Sequence, residues 1–272
     1  MPELPEVEVT MRGIAPVLDG AVIEDVYVGD KPLREPMPRE LLGLKGARVQ
    51  GLSRRAKYIL VSTDRGTIIM HLGMTGHLKV VKTGTPRVLH DHFDLCLEGG
   101  TTVRLNDIRR FGLVTLVPPG EDPLKDRHLI DLGPEPFDPS FDGKYLKERL
   151  KGKKIAIKQA LMDSKVVVGV GNIYASEVLF LSGISPKKQA SRLTLAQCEK
   201  VAENIVKVLR ASIESGGTTI RDFSGADGKL GYFVQSLNVY GHAGEPCKVC
   251  GTKIKSIVQG QRSTFYCPHC QK

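Results

Sequence analysis

Two C-x-x-C knuckles near the end of the chain, Cys247-Lys248-Val249-Cys250 and Cys267-Pro268-His269-Cys270, constrain the local fold more tightly than any other feature. Sixteen residues separate them, and Thr252 to Phe265 has room for a hairpin. Four thiolates at this spacing suit a closed tetrahedral site, so Cys247, Cys250, Cys267 and Cys270 are expected to hold one structural Zn2+ ion. A shell of four sulfurs leaves no open position for water, and the ion therefore builds structure without doing chemistry. His269 lies inside a knuckle that is complete without it. The other two of the six cysteines, Cys96 and Cys198, stand alone in apolar-periodic segments and read as core residues.

With 272 residues the chain can bury a sizeable core and form about two domains. Lys and Arg outnumber Asp and Glu by 39 to 30, and the resulting net charge of +9 favours a polyanionic partner. Charge alone is equally compatible with a merely basic protein. No apolar run is long enough to span a bilayer, and the N-terminus lacks the basic-then-apolar order of a signal peptide, so the expectation is a cytoplasmic protein with no membrane association. In that compartment paired cysteines argue for metal over disulfides. Tryptophan is absent and aromatics are sparse, which argues against a broad base-stacking platform.

The first half of the chain reads as short strands near 21–28, 47–52, 57–63, 66–72, 77–82, 91–98, 101–107 and 112–118. Turn residues such as Asp64-Arg65-Gly66 and Glu98-Gly99-Gly100 punctuate them. Eight short strands with local connections suggest an antiparallel sandwich. Beyond Gly133-Pro134-Glu135-Pro136 the apolar period lengthens to three or four, predicting helices near 143–150, 155–163, 172–182 and 194–215. Thr194 and Gln197 stand at capping-box spacing before the last. Between two helices, Val166-Val167-Val168-Gly169-Val170-Gly171-Asn172 resists helix and then starts one near Asn172, where free amide donors suit either a cap or a phosphate. The segment 215–228, rich in Gly and small polar residues, reads as a mobile loop or a linker. The fold class is α+β.

The N-terminal stretch Met1-Pro2-Glu3-Leu4-Pro5-Glu6-Val7-Glu8 looks first like a helix start, with prolines and acids in the first turn and Val7, Met11, Ile14 and Leu18 at helical spacing. It also holds latent chemistry. If Met1 is removed, Pro2 becomes a secondary amine and a candidate nucleophile, and the positive end of the helix dipole favours its neutral form. An ordinary α-amino group has a pKa near ~8, so the surroundings must raise the deprotonated fraction. Glu3 offers an acid/base group one residue away.

Other polar side chains cluster at strand ends. Ser53-Arg54-Arg55-Ala56-Lys57-Tyr58 crowds cations beside a strand start, as a phosphate site or a solvated end would. His71-Leu72-Gly73-Met74-Thr75-Gly76 places Met74 in a glycine-flanked turn, where an exposed apolar tip suits insertion between bases. Asn106-Asp107-Ile108-Arg109-Arg110-Phe111-Gly112 repeats the pattern with guanidinium groups and a ring. Arg262, in Gln259-Gly260-Gln261-Arg262, sits near the tip of the metal-clamped hairpin, where a rigid support lowers the entropy lost on binding phosphate.

Taken in order, these motifs resemble the formamidopyrimidine-DNA glycosylases, and the resemblance covers essentially the whole chain. It implies an N-terminal helix and β-sandwich catalytic domain over 1–133, a helix-two-turn-helix DNA-binding domain over 134–236 and a zinc-ribbon hairpin over 237–272. It implies that Pro2 attacks the damaged nucleotide with Glu3 as acid/base partner. It further implies that Met74, Arg109 and Phe111 fill the gap left by the extruded nucleotide, and that Lys57, His71 and Arg262 bind backbone phosphates, Lys57 and Arg262 beside the reacting centre. Lys158 and Asn172 contact DNA, and Arg221 belongs to the loop that closes over the base. At Arg221 this chain departs from the pattern, since the family often has lysine there and the donor geometry differs. The expected partner is double-stranded DNA carrying oxidised purines, the expected state a monomer, and the expected activity a bifunctional glycosylase and strand-cleaving lyase. Two alternatives stay open: an endonuclease VIII-like enzyme for oxidised pyrimidines, against which Leu4 and the Met74, Arg109, Phe111 trio argue, and a non-catalytic zinc-dependent DNA-binding protein.

Overall fold

The computed structural model describes residues 2–217 and 236–272. They form two compact units, one of residues 2–130 with 215–217, the other of 131–214 with 236–272.

The first unit opens with α1 (Leu4–Leu18) and continues through β1 (Ile23–Val28), β2 (Val49–Arg55), β3 (Tyr58–Thr63), β4 (Gly66–His71), β5 (His77–Lys82), β6 (Asp91–Leu97), β7 (Thr101–Asn106) and β8 (Leu113–Val117). All eight expected strands are present. They build two four-stranded antiparallel sheets, in the orders β1-β6-β7-β5 and β2-β3-β4-β8. Leu95 and Val103 from one sheet, Ile59, Val61 and Ile68 from the other, and Val7, Ile14 and Leu18 from α1 share one apolar core, which makes the sandwich. The spacing of those three helix residues gives α1 one buried stripe, and each such side chain contributes roughly 1.5–3 kcal/mol on leaving water.

The start of α1 corrects one expectation. Glu3 is the N-cap, and Pro2 precedes the helix instead of opening its first turn. The cap is set by Glu6, whose carboxylate accepts the Glu3 backbone N–H at 2.8 Å. A second tie runs from β2, where Arg54 Nε donates to Glu8 at 2.7 Å with the two side chains only 8% and 13% exposed. Between β1 and β2 a 3-10 helix over Arg39–Leu44 sends Leu41 and Leu44 into the core. Six residues are too few to show a helical period, so nothing in the pattern announced it.

The second unit contains α2 (Gly143–Leu150), α3 (Ile157–Leu161), α4 (Asn172–Ser182), α5 (Leu195–Glu214), β9 (Lys255–Gln259) and β10 (Arg262–Tyr266). The Thr194 and Gln197 capping box forms: Thr194 Oγ1 accepts from the Gln197 N–H at 3.2 Å, and Gln197 Oε1 accepts from the Thr194 N–H at 3.1 Å. Cys198 is buried, whereas Cys96 on β6 is only half-buried. The N-cap of α4 is Gly171, so Asn172 is the first helical residue and its side chain is released for other partners.

Glu177, on α4 and 2% exposed, holds the segment that leads toward the cysteine hairpin. Its carboxylate accepts the backbone N–H groups of Asn238 at 2.8 Å and of Val239 and Tyr240 at 2.9 Å, and the Asn238 side-chain amide at 2.9 Å. A buried acid with four donors is stable only while all four stay in place. Replacing Glu177 by Ala should strand those amides and lower stability by about 3 kcal/mol in urea unfolding.

Candidate functional site

The capped start of α1 places Pro2 and Glu3 in a protected position, with Pro2 buried and Glu3 only 2% exposed. Glu6 is equally buried. Gly217, with φ +81°, passes so close that a Cβ there would lie 3.4 Å from Glu6 Oε1. A glycine there lets the backbone turn beside this acid.

Register gathers a second group at one end of the β2-β3-β4-β8 sheet. Lys57 sits in the two-residue turn between β2 and β3, where Ala56 takes φ 55°. The next residue, Tyr58, pairs across the ladder with His71, and His71 pairs with Leu113. His71 is buried, with the Tyr58 ring 4.7 Å from its own. Its Nδ1 accepts the Gly73 N–H at 3.0 Å and faces the Arg34 guanidinium at 3.4 Å, which assigns the ring proton to Nε2. Burial above all, and then the positive charges of Arg34 and Lys57, push the imidazole down from 6.5 to about 3. At neutral pH His71 is thus an uncharged donor with one fixed N–H, while Lys57 supplies charge.

The two turns with exposed apolar tips lie side by side. Met74 is 38% exposed and Phe111 42%, and Arg109 stacks on Phe111 with Cζ 4.7 Å from the ring centroid. Gly73 makes the approach possible: it has φ +63°, and a Cβ would fall 2.4 Å from the Phe111 carbonyl carbon. The turn that bears Met74 thus lies against the turn that bears the stacked Arg109 and Phe111.

In the second unit the hairpin turns through Gly260 and Gln261, both at positive φ (53° and 62°), as a two-residue primed turn requires. Arg262, the first residue of β10, is exposed beside that turn. Lys158 is not a surface cation. It is 1% exposed, and its ammonium donates to Asn172 Oδ1 at 2.7 Å, the Ser263 carbonyl at 2.9 Å and Thr264 Oγ1 at 2.8 Å. Lys158 thus ties the N-terminus of α4 to the strand that carries Arg262. Asn172 in turn donates to the Tyr240 hydroxyl at 3.4 Å, and Tyr240 stands edge-on to Phe265.

The four knuckle sulfurs lie within 4.8 Å of one another, with Cys250 and Cys267 at 3.5 Å and Cys247 and Cys270 at 3.9 Å. These separations are far from the ~2.05 Å of a disulfide. They match the edges of a tetrahedron with Zn–S bonds of about 2.3 Å, so the donor set fits one zinc ion. Arg221 lies outside the described residues.

Three family models match in sequence: the formamidopyrimidine-DNA glycosylase N-terminal domain over residues 1–114, the H2TH domain of the same glycosylases over 132–224, and a zinc finger found in FPG and IleRS over 244–272. This chain belongs to the formamidopyrimidine-DNA glycosylase family. It is 51% identical over 273 residues to the formamidopyrimidine-DNA glycosylase of Pseudomonas savastanoi pv. phaseolicola and 50% over 272 residues to that of Alcanivorax borkumensis, covering 100% of both chains each time. Among solved structures, a mutant Lactococcus lactis FPG in complex with Fapy-dG-containing DNA superposes with TM-score 0.90 at 32% identity, with both chains fully covered. The MutM (FPG) protein of Thermus thermophilus gives 0.89 at 35% identity, covering 99% of this chain and 98% of the other.

Beside the family's motif residues, the fold recruits groups that sequence reasoning passed over. Arg34 and Tyr58 hold His71, Tyr240 meets Asn172, and Thr75 and Asp107 join the exposed turns. Arg34 and Tyr240 sit far from their partners in the chain, and no spacing rule marks such pairs.

The His71 imidazole binds its proton near 6.5 when unfolded and only near 3 when folded, so its neutral burial costs stability as pH falls through that window. Between pH 6.5 and about 5 the wild type should lose about 2 kcal/mol more than His71→Gln, measured by chemical unfolding at each pH.

Proposed function

We propose that this chain repairs duplex DNA by excising oxidised purines, 8-oxoguanine and formamidopyrimidines, and that it cuts the strand with the amine of Pro2. The observation that carries this reading is the full-length likeness, near 50% identity, to formamidopyrimidine-DNA glycosylases, with the Met1-Pro2-Glu3-Leu4-Pro5-Glu6 start intact.

In the mechanism, loss of Met1 frees the Pro2 nitrogen, which attacks C1′ of the extruded nucleotide as the base departs. Glu3 protonates the sugar ring oxygen, and the sugar opens to an iminium on the proline nitrogen. The cation acidifies the C2′ hydrogen, so β elimination breaks the strand on the 3′ side and δ elimination on the 5′ side. Glu3 serves again in these proton transfers. An activated water in place of the amine would only release the base. Glu3 follows Pro2 directly in the chain and is buried, which gives its carboxyl a protected setting for proton transfer.

The remaining residues bring the strand to that amine. Lys57, His71, Asn172 and Arg262 hold phosphates, with His71 donating its fixed Nε2 proton. Lys158 acts on the strand through Asn172 and the hairpin that it bonds. Met74, Arg109 and Phe111 enter the stack, and Arg221 reads the extruded base. Cys247, Cys250, Cys267 and Cys270 hold the single structural zinc ion that stiffens the hairpin beneath Arg262. The functional division is 1–133 for catalysis, 134–236 for DNA binding and 237–272 for the zinc hairpin. Among the described residues no helix is long and apolar enough to cross a membrane, and we place the enzyme in the cytoplasm as a monomer.

Duplexes carrying 8-oxoguanine or thymine glycol test the assignment. The first should be cleaved at least tenfold faster, leaving a gap with phosphate on both sides, as read on a denaturing gel. Preference for thymine glycol, or base release without strand scission, would overturn it.

A further inference from the structure

One buried carboxylate joins the two exposed turns of the first unit. Asp107 follows the last residue of β7 and is fully buried. Its Oδ1 accepts the Thr75 hydroxyl at 2.6 Å and its Oδ2 accepts the Gly112 N–H at 2.8 Å. The Thr75 oxygen in turn accepts the Arg109 N–H at 3.0 Å. The bonds run from Gly112 through Asp107 and Thr75 to Arg109, so the turn carrying Met74 is fastened to both ends of the turn carrying Arg109 and Phe111. Asp107 is itself fixed from the sheet side: its N–H donates to the His90 carbonyl at 2.9 Å, and its own carbonyl lies 3.1 Å from His92 Nε2. The close passage of Gly73 over Phe111 seals the other side of the junction.

We infer that Thr75 and Asp107 are positioning residues that make Met74, Arg109 and Phe111 enter the DNA stack as one preassembled wedge. The inference rests on the reading that those three side chains are inserted when the nucleotide leaves. Unstacking and unpairing a nucleotide costs a few kcal/mol, and inserted side chains offset it only if little of their own freedom is lost on insertion. Side chains on two independent turns would each be ordered separately at that moment. Side chains on turns already fastened together are ordered beforehand. Bonds to a buried carboxylate that accepts through both of its oxygens are among the stronger ones available for the task.

Thr75→Val keeps the shape of the side chain and removes the hydroxyl that links Asp107 to the Arg109 amide. Stopped-flow fluorescence of a 2-aminopurine placed next to 8-oxoguanine in a duplex reads the unstacking step directly. The valine variant should unstack about tenfold more slowly, as loss of a hydrogen bond to a charged group implies. Thr75→Ser should restore the rate, which a purely steric role of Thr75 would not require. Met74→Ala should slow the step in the wild type but add little to Thr75→Val, because the two changes disable one unit. Unstacking at the wild-type rate in Thr75→Val, or effects of the two substitutions that multiply independently, would overturn the inference while leaving the wedge intact. A Met74→Ala variant that unstacks normally would defeat the insertion reading itself, and the inference with it.

Discussion

The anchoring of the first helix is the constraint on which the rest of the structure depends. A nucleophile carried on the chain terminus would ordinarily fray, since the first residues of a domain are ordered only when something ties them down. Here the ties are several and independent: Leu4, Val7, Ile14 and Leu18 are buried, Glu6 closes the cap on Glu3, and Arg54 of the sheet grips Glu8. Covalent attack needs the reacting atoms held about 3–3.5 Å apart in the right orientation, so a fixed amine leaves positioning to the DNA. We propose that the phosphate ligands and exposed apolar tips then have a single task, to deliver one sugar carbon to the Pro2 nitrogen.

Irregular backbone carries most of the side chains proposed to act on DNA, and buried polar and charged groups hold that backbone in shape. Asp107 fastens the turns that bear Met74, Arg109 and Phe111, Glu177 fastens residues 238–240, and Lys158 fastens Asn172 to the zinc hairpin. Each uses several charge-assisted bonds to backbone or side-chain groups that no helix or sheet ladder satisfies. A buried ion left with only part of its partners is costly, so each lock is either complete or broken. The zinc site extends the same logic to a hairpin too short to be stable alone.

Much of this was legible in the residues. The strands were, because β-branched runs between Gly, Asp and Pro punctuation allow little else, and α5 was, because Thr194, Gln197 and an apolar stripe mark its start and face. The knuckle spacing announced the metal shell. The 3-10 helix at Arg39–Leu44 was not legible, being shorter than the period that would reveal it. The cap of α4 shifted by one residue to Gly171, where an extended backbone needs no side chain, and the freed Asn172 found Lys158 and Tyr240. The burial of Lys158 was not legible either, because lysine is seldom found inside and only the fold supplies the three acceptors that permit it. Pairs such as Thr75 with Asp107, or Arg34 with His71, lie about thirty or more residues apart in the chain, and a single sequence does not disclose them.

We propose that the amine of Pro2, and no lysine, forms the covalent intermediate. Borohydride reduction during cleavage of an 8-oxoguanine duplex, followed by peptide mass mapping of the adduct, tests it most directly. A single adduct on Pro2 is expected, and none in protein that retains Met1. An adduct on a lysine, or no adduct from zinc-loaded protein that binds and cleaves the duplex, would contradict it.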